Sequence, residues 1–459
     1  MGACGPYFGV SLFSGAGIGD TGWRAAGVPI IATCEIEPDR SALTQLNFPD
    51  ASHFTSDVWS IRHEYCRMVR QRLREAHVDE LFLVSCTAPC QGMSKSGQGT
   101  LLRNIREGKR PKLDPRNRLI LPALDIIVDL RPRWVVFENV VEMRSTLIED
   151  AQGQLRPILD IIRATLGEEY QGEAYDVEFA DFGIPQRRMR LVTVFTRDVT
   201  AKHRLAQGVQ LIPPRTHSAT GQGGKHRWIS VSQALADFPQ LDSASHSAAR
   251  CKSVPFHYVP VLDPKKYEWI RHTKPGSSAF DNQCINPECL YEGNATHGTK
   301  YEEGINRASR STPLFCERCG ALLPRPYTLE SDGSKRIMSG FTSAYKRMAP
   351  DQPAPALTRN LSYPCSDNKI HPYQNRVLSL AEAMTLQTVA KYTYKWGPLD
   401  TAGKTSPVAT DALIRLVIGE SVPPAFFEQL GAHLQMLTND GDLPDHISQS
   451  IQPKQLALL

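Results

Sequence analysis

The segment FGVSLFSGAGIGD, residues 8–20, decides the fold that this sequence predicts. Residues 8–13 have the short apolar pattern of a buried strand, and the glycines that follow form a tight turn before a helix that runs through Trp23. A glycine turn between a strand and a helix lets the backbone approach a ligand closely at the helix N-terminus. The segment therefore predicts the first βα unit of a ligand-binding sheet.

Similar units continue along the first third of the chain. Further strands are predicted at residues 30–34, 53–58, 80–85 and 134–137, with a second helix over residues 38–46. Repeated βα units imply an open parallel sheet with helices on both faces, and a ligand then lies beyond the carboxyl ends of the strands. Candidate site residues at or just past those ends are Gly15, Asp20, Glu35, Asp57, Cys90 and Glu138.

Two of these carboxylates point to an adenosine-containing cofactor. Glu35 closes the second strand about twenty residues after the glycine turn, where a carboxylate can accept hydrogen bonds from both ribose hydroxyls. Asp57 follows the third strand and is placed to accept a hydrogen bond from an adenine amino group. A dehydrogenase fits less well, because the glycine spacing departs from the dinucleotide fingerprint and Cys90 is left unexplained.

Cys90 stands in the tetrapeptide Pro89-Cys90-Gln91-Gly92, directly after the fourth predicted strand. Between a rigid proline and a flexible glycine, a cysteine at a strand end is offered to a ligand, and a thiolate in such a place can act as a nucleophile. The alternative interpretation is a small buried hydrophobic residue, which is what most intracellular cysteines are.

Composition bounds the class of protein. The 459 residues allow two or three domains, and 41% hydrophobic with 22% charged residues is typical of a globular protein rather than a disordered or membrane one. The net charge of +4 allows an acidic partner without requiring one. No run is apolar enough to span a bilayer, and the N-terminus has no secretory pattern. Eleven scattered cysteines favour a reducing compartment, so a cytoplasmic location is predicted.

The chain resembles the DNA (cytosine-5)-methyltransferases over most of its length. The likeness rests on motifs that occur in the order of that family. Their positions are residues 13–17, 89–94, 114–117 with Leu119, 138–140, 186–190, 371–376 with Glu382 and Gln387, and 419–423. Several such motifs in the same order make a chance match very improbable.

This resemblance implies a fold and a domain organisation. The fold is α/β, a Rossmann-like sheet that binds S-adenosylmethionine, with a smaller inserted target-recognition domain. Residues 1–200 and 346–437 are expected to form the catalytic domain, residues 201–345 the recognition domain and residues 438–459 a polar tail. The implied substrate is double-stranded DNA, methylated near the nucleoid of a bacterium as protection against a cognate restriction endonuclease.

The resemblance also implies roles for individual residues. Cys90 adds to carbon 6 of a flipped cytosine, Glu138 binds the N3 and amino edge, and Arg190 contacts the O2 oxygen, with Arg188 in support. The implied cofactor-binding residues are Phe13, Gly15, Gly17, Glu35, Ile36, Asp57, Val58, Pro89, Ser421 and Val422.

Glu420 departs from the family, which more often has Asn at this place beside the cofactor. A carboxylate that faced the carboxyl group of the cofactor's methionine would be unfavourable. Two interpretations stay open: the side chain braces the nucleophile loop, or it faces solvent.

A basic stretch follows Cys90 and suits a polyanionic substrate. A mobile loop of this kind can close over DNA and neutralise phosphates, although a solvated surface loop is the usual interpretation of a charge run. Its cations are Arg103, Arg106, Lys109, Arg110, Lys112, Arg116 and Arg118, with only Glu107 and Asp114 among them.

Two cysteine pairs in the interval 201–345 predict a metal site. Cys284 and Cys289 are followed, after 26 intervening residues, by Cys316 and Cys319. This spacing is typical of a four-thiolate structural zinc site, and the alternative is four ordinary thiols. Basic residues of the same interval that are candidates for DNA contact are Lys300, Arg307, Arg310, Arg325, Lys335 and Arg336.

Two other functions remain as alternatives. Related catalytic domains can accept tRNA, so an RNA cytosine-5 methyltransferase is the first. A catalytically silent DNA-binding protein of the same fold is the second, and the presence of Cys90, Glu138 and Arg190 argues against it.

Overall fold

A computed structural model describes residues 7–89, 93, 114–150, 152–297, 299–302, 305–308, 311–338, 343–366, 368–397, 409–439 and 441. The predicted nucleophile Cys90, the cations from Arg103 to Lys112 and Arg310 lie outside the described residues. The side chains of Lys300 and Arg307 also lie outside them. Among the described residues, no helix has both the length and the apolar character that crossing a membrane requires.

Strands and helices alternate through the first half of the chain. The strands are β1 Gly9–Leu12, β2 Ile30–Cys34, β3 Ser52–Phe54, β4 Leu83–Cys86, β5 Trp134–Asn139, β6 Leu147–Glu149, β7 Leu155–Pro157, β8 Gln171–Glu178, β9 Gln186–Arg187, β10 Met189–Thr196, β11 His217–Ser218, β12 His226–Arg227, β13 Thr299–Glu302, β14 Ile305–Ala308, β15 Tyr327–Leu329, β16 Lys335–Ile337 and β17 Ala354–Pro355. The helices are α1 Asp20–Ala25, α2 Pro38–Asn47, α3 Val58–Glu75, α4 Ile120–Leu130, α5 Ile158–Leu166, α6 Val199–Ala206, α7 Val231–Ala234, α8 Pro264–Arg271, α9 Leu380–Leu386, α10 Asp411–Glu420 and α11 Pro424–Thr438.

The central sheet has seven strands in the order β3-β2-β1-β4-β5-β10-β8. The first five strands along the chain pair in parallel, as the sequence predicted, whereas β10 runs antiparallel to both β5 and β8. The strand order reverses at β1, which lies between β2 and β4. Because ligands of open α/β sheets bind at such a reversal, the carboxyl ends of β1 and β4 mark the expected site.

The third strand is shorter than the sequence predicted. It ends at Phe54 instead of continuing to Val58. Asp57 is the N-cap of α3, and its carboxylate accepts a hydrogen bond from the Trp59 N–H at 3.1 Å. A strong helix cap therefore overrides the strand pattern, because capping satisfies a backbone donor that the first turn of a helix leaves unpaired.

Helices cover both faces of the sheet, which confirms the predicted architecture. Val135 and Phe137 of β5 point into one apolar cluster with α3, α4 and α5. Trp134 and Val136 of the same strand point into a second cluster with α1, α6 and α11. This alternation follows from the two-residue period of a strand, and burial on both faces explains why β5 is a continuous apolar run up to Glu138.

The C-terminal helix α11 packs against the first helix of the fold. A Cβ at Gly22 would lie 2.0 Å from the Pro424 carbonyl oxygen, so the two helices approach closer than any larger residue allows. Trp23 stacks on Phe427 with ring centroids 4.5 Å apart. The last part of the chain therefore returns to the first βα unit, next to the expected ligand site.

A separate apolar cluster, with members from Leu241 to Val377, contains little regular secondary structure. Buried arginines replace the hydrogen bonds that helices and strands would make. Arg347 donates to the carbonyl oxygens of Thr273 at 2.7 Å and His371 at 2.9 Å, among other acceptors. Such a guanidinium offers five donors, which suits a region rich in irregular carbonyls.

Arg325 belongs to this group, and its predicted contact with DNA is wrong. Its side chain is fully buried and donates to the carbonyl oxygens of Asn282, Ala295 and Pro313 at 2.7, 2.8 and 2.7 Å. The sequence prediction assumed an exposed cation, whereas this one satisfies three loop carbonyls inside the domain.

Candidate active site

The turn after β1 holds an unusual backbone. Phe13 has a φ of 58°, in the left-handed region that bulky side chains rarely adopt, and its carbonyl accepts a hydrogen bond from Thr87 Oγ1 at 2.9 Å. Gly15 has a φ of 55°, and a Cβ built there meets nothing within 4 Å. A strained residue beside an open glycine is typical of a ligand-binding turn.

Gly17 in the same turn is required by packing. Its φ is 70°, and an added Cβ would lie 2.9 Å from the Phe48 ring. The Thr44 hydroxyl donates to the Gly15 carbonyl at 2.9 Å, and the Tyr394 hydroxyl donates to the Ala16 carbonyl at 2.7 Å. The turn is therefore held from α2 and from the C-terminal half of the chain.

Glu35 lies buried just past the carboxyl end of β2. Its Oε2 accepts from the Gly15 N–H and its Oε1 accepts from the Glu37 N–H, both at 2.9 Å. An ionised carboxylate has about four acceptor positions, so these two bonds orient Glu35 and leave capacity for a pair of hydroxyl donors. The geometry fits the ribose-binding role that the sequence predicted.

The remaining predicted cofactor contacts on the first half of the chain differ in their exposure to solvent. Ile36 is apolar and 59% exposed, which suits a side chain that covers a flat ring. Asp57 is exposed, while the side chain of Val58 is buried beneath it. Pro89 is partly exposed after β4. Carboxylate, apolar side chain and glycine turn together fit an adenosine group.

The predicted contacts from the second half of the chain are Ser421 and Val422. Val422 is buried and lies beside Gly19 of the glycine turn. The Ser421 carbonyl and hydroxyl oxygens accept from Gln387 Nε2 at 2.7 and 2.9 Å. Gln387 in turn accepts from Gln186 Nε2 at 2.6 Å. This glutamine relay, which the sequence did not reveal, joins three motifs far apart along the chain.

Glu138 and Arg190 form an ion pair at the end of the sheet. Arg190 Nε lies 2.9 Å from Glu138 Oε1, and only 8% of Glu138 is exposed. Burial raises the pKa of the Glu138 carboxyl, and the charges of Arg190 and Arg188 only partly oppose this shift. A carboxyl with a raised pKa keeps its proton to higher pH than an ordinary glutamate does, and a protonated carboxyl can donate a proton.

Arg188 donates hydrogen bonds to backbone carbonyls of the C-terminal half of the chain, while its charge still acts on Glu138. Its guanidinium donates to the carbonyl oxygens of Leu357 at 3.0 Å and Gly419 at 2.9 Å. Its backbone N–H donates to Glu178 Oε1 at 2.6 Å. These contacts attach the strand that carries Arg190 to Leu357 and to Gly419 of the last motif.

Two hydrogen bonds hold Thr87 and Ala88, which precede Cys90 in the sequence. The Thr87 N–H donates to the Leu12 carbonyl at 3.2 Å, and Asn139 Nδ2 donates to the Ala88 carbonyl at 3.0 Å. The segment leading to Cys90 is therefore held by the glycine turn on one side and by the residue after Glu138 on the other. Cys90 itself lies outside the described residues.

Comparison with known proteins decides the family. A family model described as C-5 cytosine-specific DNA methylase matches residues 7–436. The chain belongs to this family. The prediction of a DNA (cytosine-5)-methyltransferase with a Rossmann-like sheet is thereby confirmed.

Bacterial relatives match the methyltransferase along its length. It is 27% identical to the type II methyltransferase M1.HgaI of Avibacterium volantium, over 92% of this chain and 96% of that protein. It is 21% identical to the type II methyltransferase M.DdeI of Desulfomicrobium norvegicum, over 96% of this chain and 92% of the relative. The type II methyltransferase M.XorII of Xanthomonas oryzae pv. oryzae is 28% identical over 51% of this chain and 47% of its own length.

The structure gives Glu420 of the methyltransferase a partner that the sequence did not reveal. Glu420 Oε2 lies 2.9 Å from Arg40 Nη2, and Arg40 Nη1 lies 3.6 Å from Glu35 Oε1. The side chain is thus 41% exposed to solvent and at the same time paired with Arg40, a contact that neither interpretation had included. No local pattern could have indicated this contact, because Arg40 and Glu420 stand at opposite ends of the sequence.

A buried ion pair supports the motif before the last one. Arg376 donates to both carboxylate oxygens of Glu382, at 2.7 and 2.6 Å, and both side chains are fully buried. The Ser379 N–H donates to the same carboxylate at 2.8 Å. Burial acts to raise the pKa of Glu382, but the bonds and charge of Arg376 lower it overall. The pair fixes α9, which carries Gln387 at its end.

The four cysteines of the predicted zinc site come together. Their sulfur atoms all lie within 4.8 Å of one another, with 3.7 Å between Cys284 and Cys319 and 3.8 Å between Cys289 and Cys316. Four thiolates at tetrahedral corners around zinc, with zinc–sulfur bonds of about 2.3 Å, are about 3.8 Å apart. The donor set and its spacing fit a structural zinc ion.

Proposed function

We propose that this methyltransferase modifies carbon 5 of a flipped cytosine in double-stranded DNA with Cys90 as its nucleophile. The observation that carries the proposal is the buried Glu138–Arg190 pair, whose neighbour Asn139 bonds the segment leading to Cys90. The reaction is the one that the family catalyses, and these contacts explain how Glu138 and Arg190 are held near the segment that leads to Cys90.

In the first step the Cys90 thiolate forms a bond to carbon 6 of the cytosine. Carbon 5 of the free base is a poor nucleophile, and the ring accepts the sulfur electrons only if N3 gains a proton. Glu138 pairs with Arg190 when it is ionised; because burial raises its pKa, the carboxyl also takes up a proton more readily than an ordinary glutamate, and in that form it donates the proton to N3. The product is an adduct in which carbon 5 is enamine-like.

Arg190 stabilises the negative charge that develops on the O2 oxygen during this addition. We assign Arg188 a positioning role, since its bonds to the Leu357 and Gly419 carbonyls hold the strand of Arg190. After methyl transfer the carbon 5 proton passes to water, the electrons of its bond form the carbon 5–carbon 6 double bond, the carbon 6–sulfur bond breaks to release the thiolate, and N3 returns its proton to Glu138. Thiolate and aromatic ring are thereby restored.

S-adenosylmethionine, when bound, supplies an electrophilic methyl group to this site. We propose that Glu35 accepts hydrogen bonds from its ribose and Asp57 from its adenine amino group. Its remaining surface is expected to contact Phe13, Gly15, Gly17, Ile36, Val58, Pro89, Ser421 and Val422. This assignment is supported by the oriented, buried carboxylate of Glu35 and the open backbone at Gly15.

DNA containing 5-fluorocytosine tests the mechanism. Fluorine at carbon 5 cannot leave as a proton does, so the adduct should accumulate after methyl transfer. We expect a denaturation-resistant protein–DNA complex that forms only with S-adenosylmethionine present, and bisulfite sequencing of normal DNA should show methylated cytosine in one sequence context. RNA of the same sequence serves as competitor. Absence of both adduct and methylation, or trapping of RNA in preference to DNA, would contradict the proposal.

We also propose that the four cysteines bind one zinc ion and that residues 201–345 recognise the target sequence. Cys316→Ser should lower the zinc content from about one ion per chain to near zero, because a tetrahedral site rarely survives the loss of one thiolate. Zinc content is measured by mass spectrometry on protein purified without chelators. Sequence-specific DNA binding should fall with it, while cofactor binding persists.

Cys365→Ser is the matched control, because Cys365 is an exposed free thiol outside the cluster. This variant should retain zinc and DNA binding. If the wild-type protein contains no zinc after purification without chelators, the four cysteines do not form a structural zinc site.

We place the biological role in type II restriction–modification, with residues 1–200 and 346–437 as the catalytic domain acting on cytoplasmic, nucleoid-associated DNA. Support comes from the type II methyltransferases that match nearly the whole chain. Methylation at the target would then protect host DNA from a cognate restriction endonuclease.

A further inference from the structure

We infer that Arg40 is a positioning residue for the cofactor, held between Glu35 and Glu420. This inference rests on the proposed cofactor role of Glu35. Arg40 lies on α2, one turn past Glu35, and joins the first catalytic segment to the end of α10 in the second.

The distances give Arg40 two unequal partners. Its Nη2 lies 2.9 Å from Glu420 Oε2, a full ion pair, whereas its Nη1 lies 3.6 Å from Glu35 Oε1. The Arg40 side chain is 21% exposed and the Glu420 side chain is 41% exposed, so the pair lies at the solvent-accessible rim of the site. Glu420 therefore anchors the guanidinium, and the guanidinium faces Glu35 without occupying its acceptor positions.

The charges explain why an arginine is needed there. Glu35, Glu37 and Glu420 gather three carboxylates at one edge of the site. Burial raises the pKa of Glu420; Glu35 and Glu37 add to the shift, while Arg40 and Arg359 oppose it. Without Arg40 these carboxylates would repel one another with no cation between them, and Glu35 would lose the nearby positive charge that helps to hold its carboxylate in the orientation that accepts hydrogen bonds from two hydroxyls. Arg40 also lies near the C-terminal end of α10, where the helix dipole favours a cation.

Anchoring of α10 alone does not account for the contact. The Gly419 carbonyl is already held by Arg188 at 2.9 Å, and Ser421 is held by Gln387 at 2.7 Å. A family member with neutral Asn in place of Glu420 would give an arginine at residue 40 no charged anchor. Glu420 and Arg40 thus act as one unit: Glu420 holds the guanidinium of Arg40, and this guanidinium orients the carboxylate of Glu35.

Arg40→Met tests this unit, because methionine keeps much of the side chain's length and removes its charge. We expect KM for S-adenosylmethionine to rise about tenfold, the effect of losing one charged interaction, while kcat and KM for DNA change less than about twofold. Calorimetry should show the same loss for S-adenosylhomocysteine, a readout independent of turnover. Glu420→Gln should weaken binding about threefold, and Arg40→Lys should recover part of the loss.

Arg62→Met is the matched control, since Arg62 pairs with Asp125 at 3.1 Å on the surface between α3 and α4. It should leave cofactor binding unchanged. Glu35→Gln separates the two levels of inference. If it leaves binding of S-adenosylhomocysteine intact, the proposed cofactor site itself fails. If Glu35→Gln weakens binding and Arg40→Met does not, the proposed role of Arg40 is overturned and the cofactor site stands. The same conclusion follows if Arg40→Met lowers only the melting temperature.

Discussion

Replacing Cys90 with serine is expected to lower the rate of methyl transfer by about 10⁴-fold, a loss of about 5 kcal/mol of transition-state stabilisation. A cysteine is a few per cent thiolate near neutral pH and intrinsically nucleophilic, whereas a serine hydroxyl is almost never ionised. The change should be measured as single-turnover incorporation of a labelled methyl group. The trapped adduct with 5-fluorocytosine should disappear in the same variant.

Binding must survive for this result to be informative. Cys90→Ser should retain affinity for DNA and for S-adenosylhomocysteine, because serine is much less nucleophilic than cysteine but only slightly smaller. Cys251→Ser, at a partly exposed free cysteine far along the chain, controls for loss of a thiol in general. A Cys90→Ser enzyme that methylates DNA at the normal rate would exclude covalent catalysis by this residue.

The site residues that the sequence predicts are those that stand directly at the end of a single predicted strand. Glu35 and Glu138 were identified because each closes an apolar run, and in a parallel sheet the carboxyl ends of the strands share one edge. The structure places both there, buried, with the partners that their chemistry requires. Local pattern was sufficient, because burial and position are both encoded within a few residues.

The contacts that sequence missed join residues far apart along the chain. Arg40 contacts Glu420, and Gln186 contacts Gln387, because the C-terminal segment packs against elements of the first half of the chain. A side chain that makes such a contact carries no local signal of its partner. The same limit explains the error at Arg325, since composition alone cannot separate a solvated cation from one that binds buried carbonyls.

The region without regular secondary structure is stabilised by polar means. Arg347 and Arg325 satisfy loop carbonyls, and the cysteine cluster brings two loops together. Apolar burial alone supports a segment poorly when few backbone groups pair with each other. The cysteine cluster and the buried arginines therefore stabilise this region in place of the hydrogen bonds that the strands of the central sheet make with one another.

Replacing Glu138 with glutamine should lower the rate of methyl transfer by about 10²–10³-fold, the usual contribution of a positioned general acid. The amide keeps the shape of the side chain and can still contact Arg190, but it has no proton to transfer to N3. The variant should bind S-adenosylhomocysteine normally, because the cofactor contacts lie on other strands. Glu169→Gln, on a largely exposed carboxylate paired with Arg131, is the matched control.

The pH dependence distinguishes proton transfer from a purely structural role. Burial raises the pKa of Glu138 above its usual value near 4.5, so the active, protonated form persists to higher pH and is lost as pH rises through the raised pKa. As pH increases, ionisation of the Cys90 thiol should raise the wild-type single-turnover rate. Loss of the proton from Glu138 should lower the rate again on the alkaline side. Glu138→Gln should lack that fall and follow the thiol alone. If the variant keeps the wild-type alkaline limb with the same midpoint, the proton on N3 comes from another group.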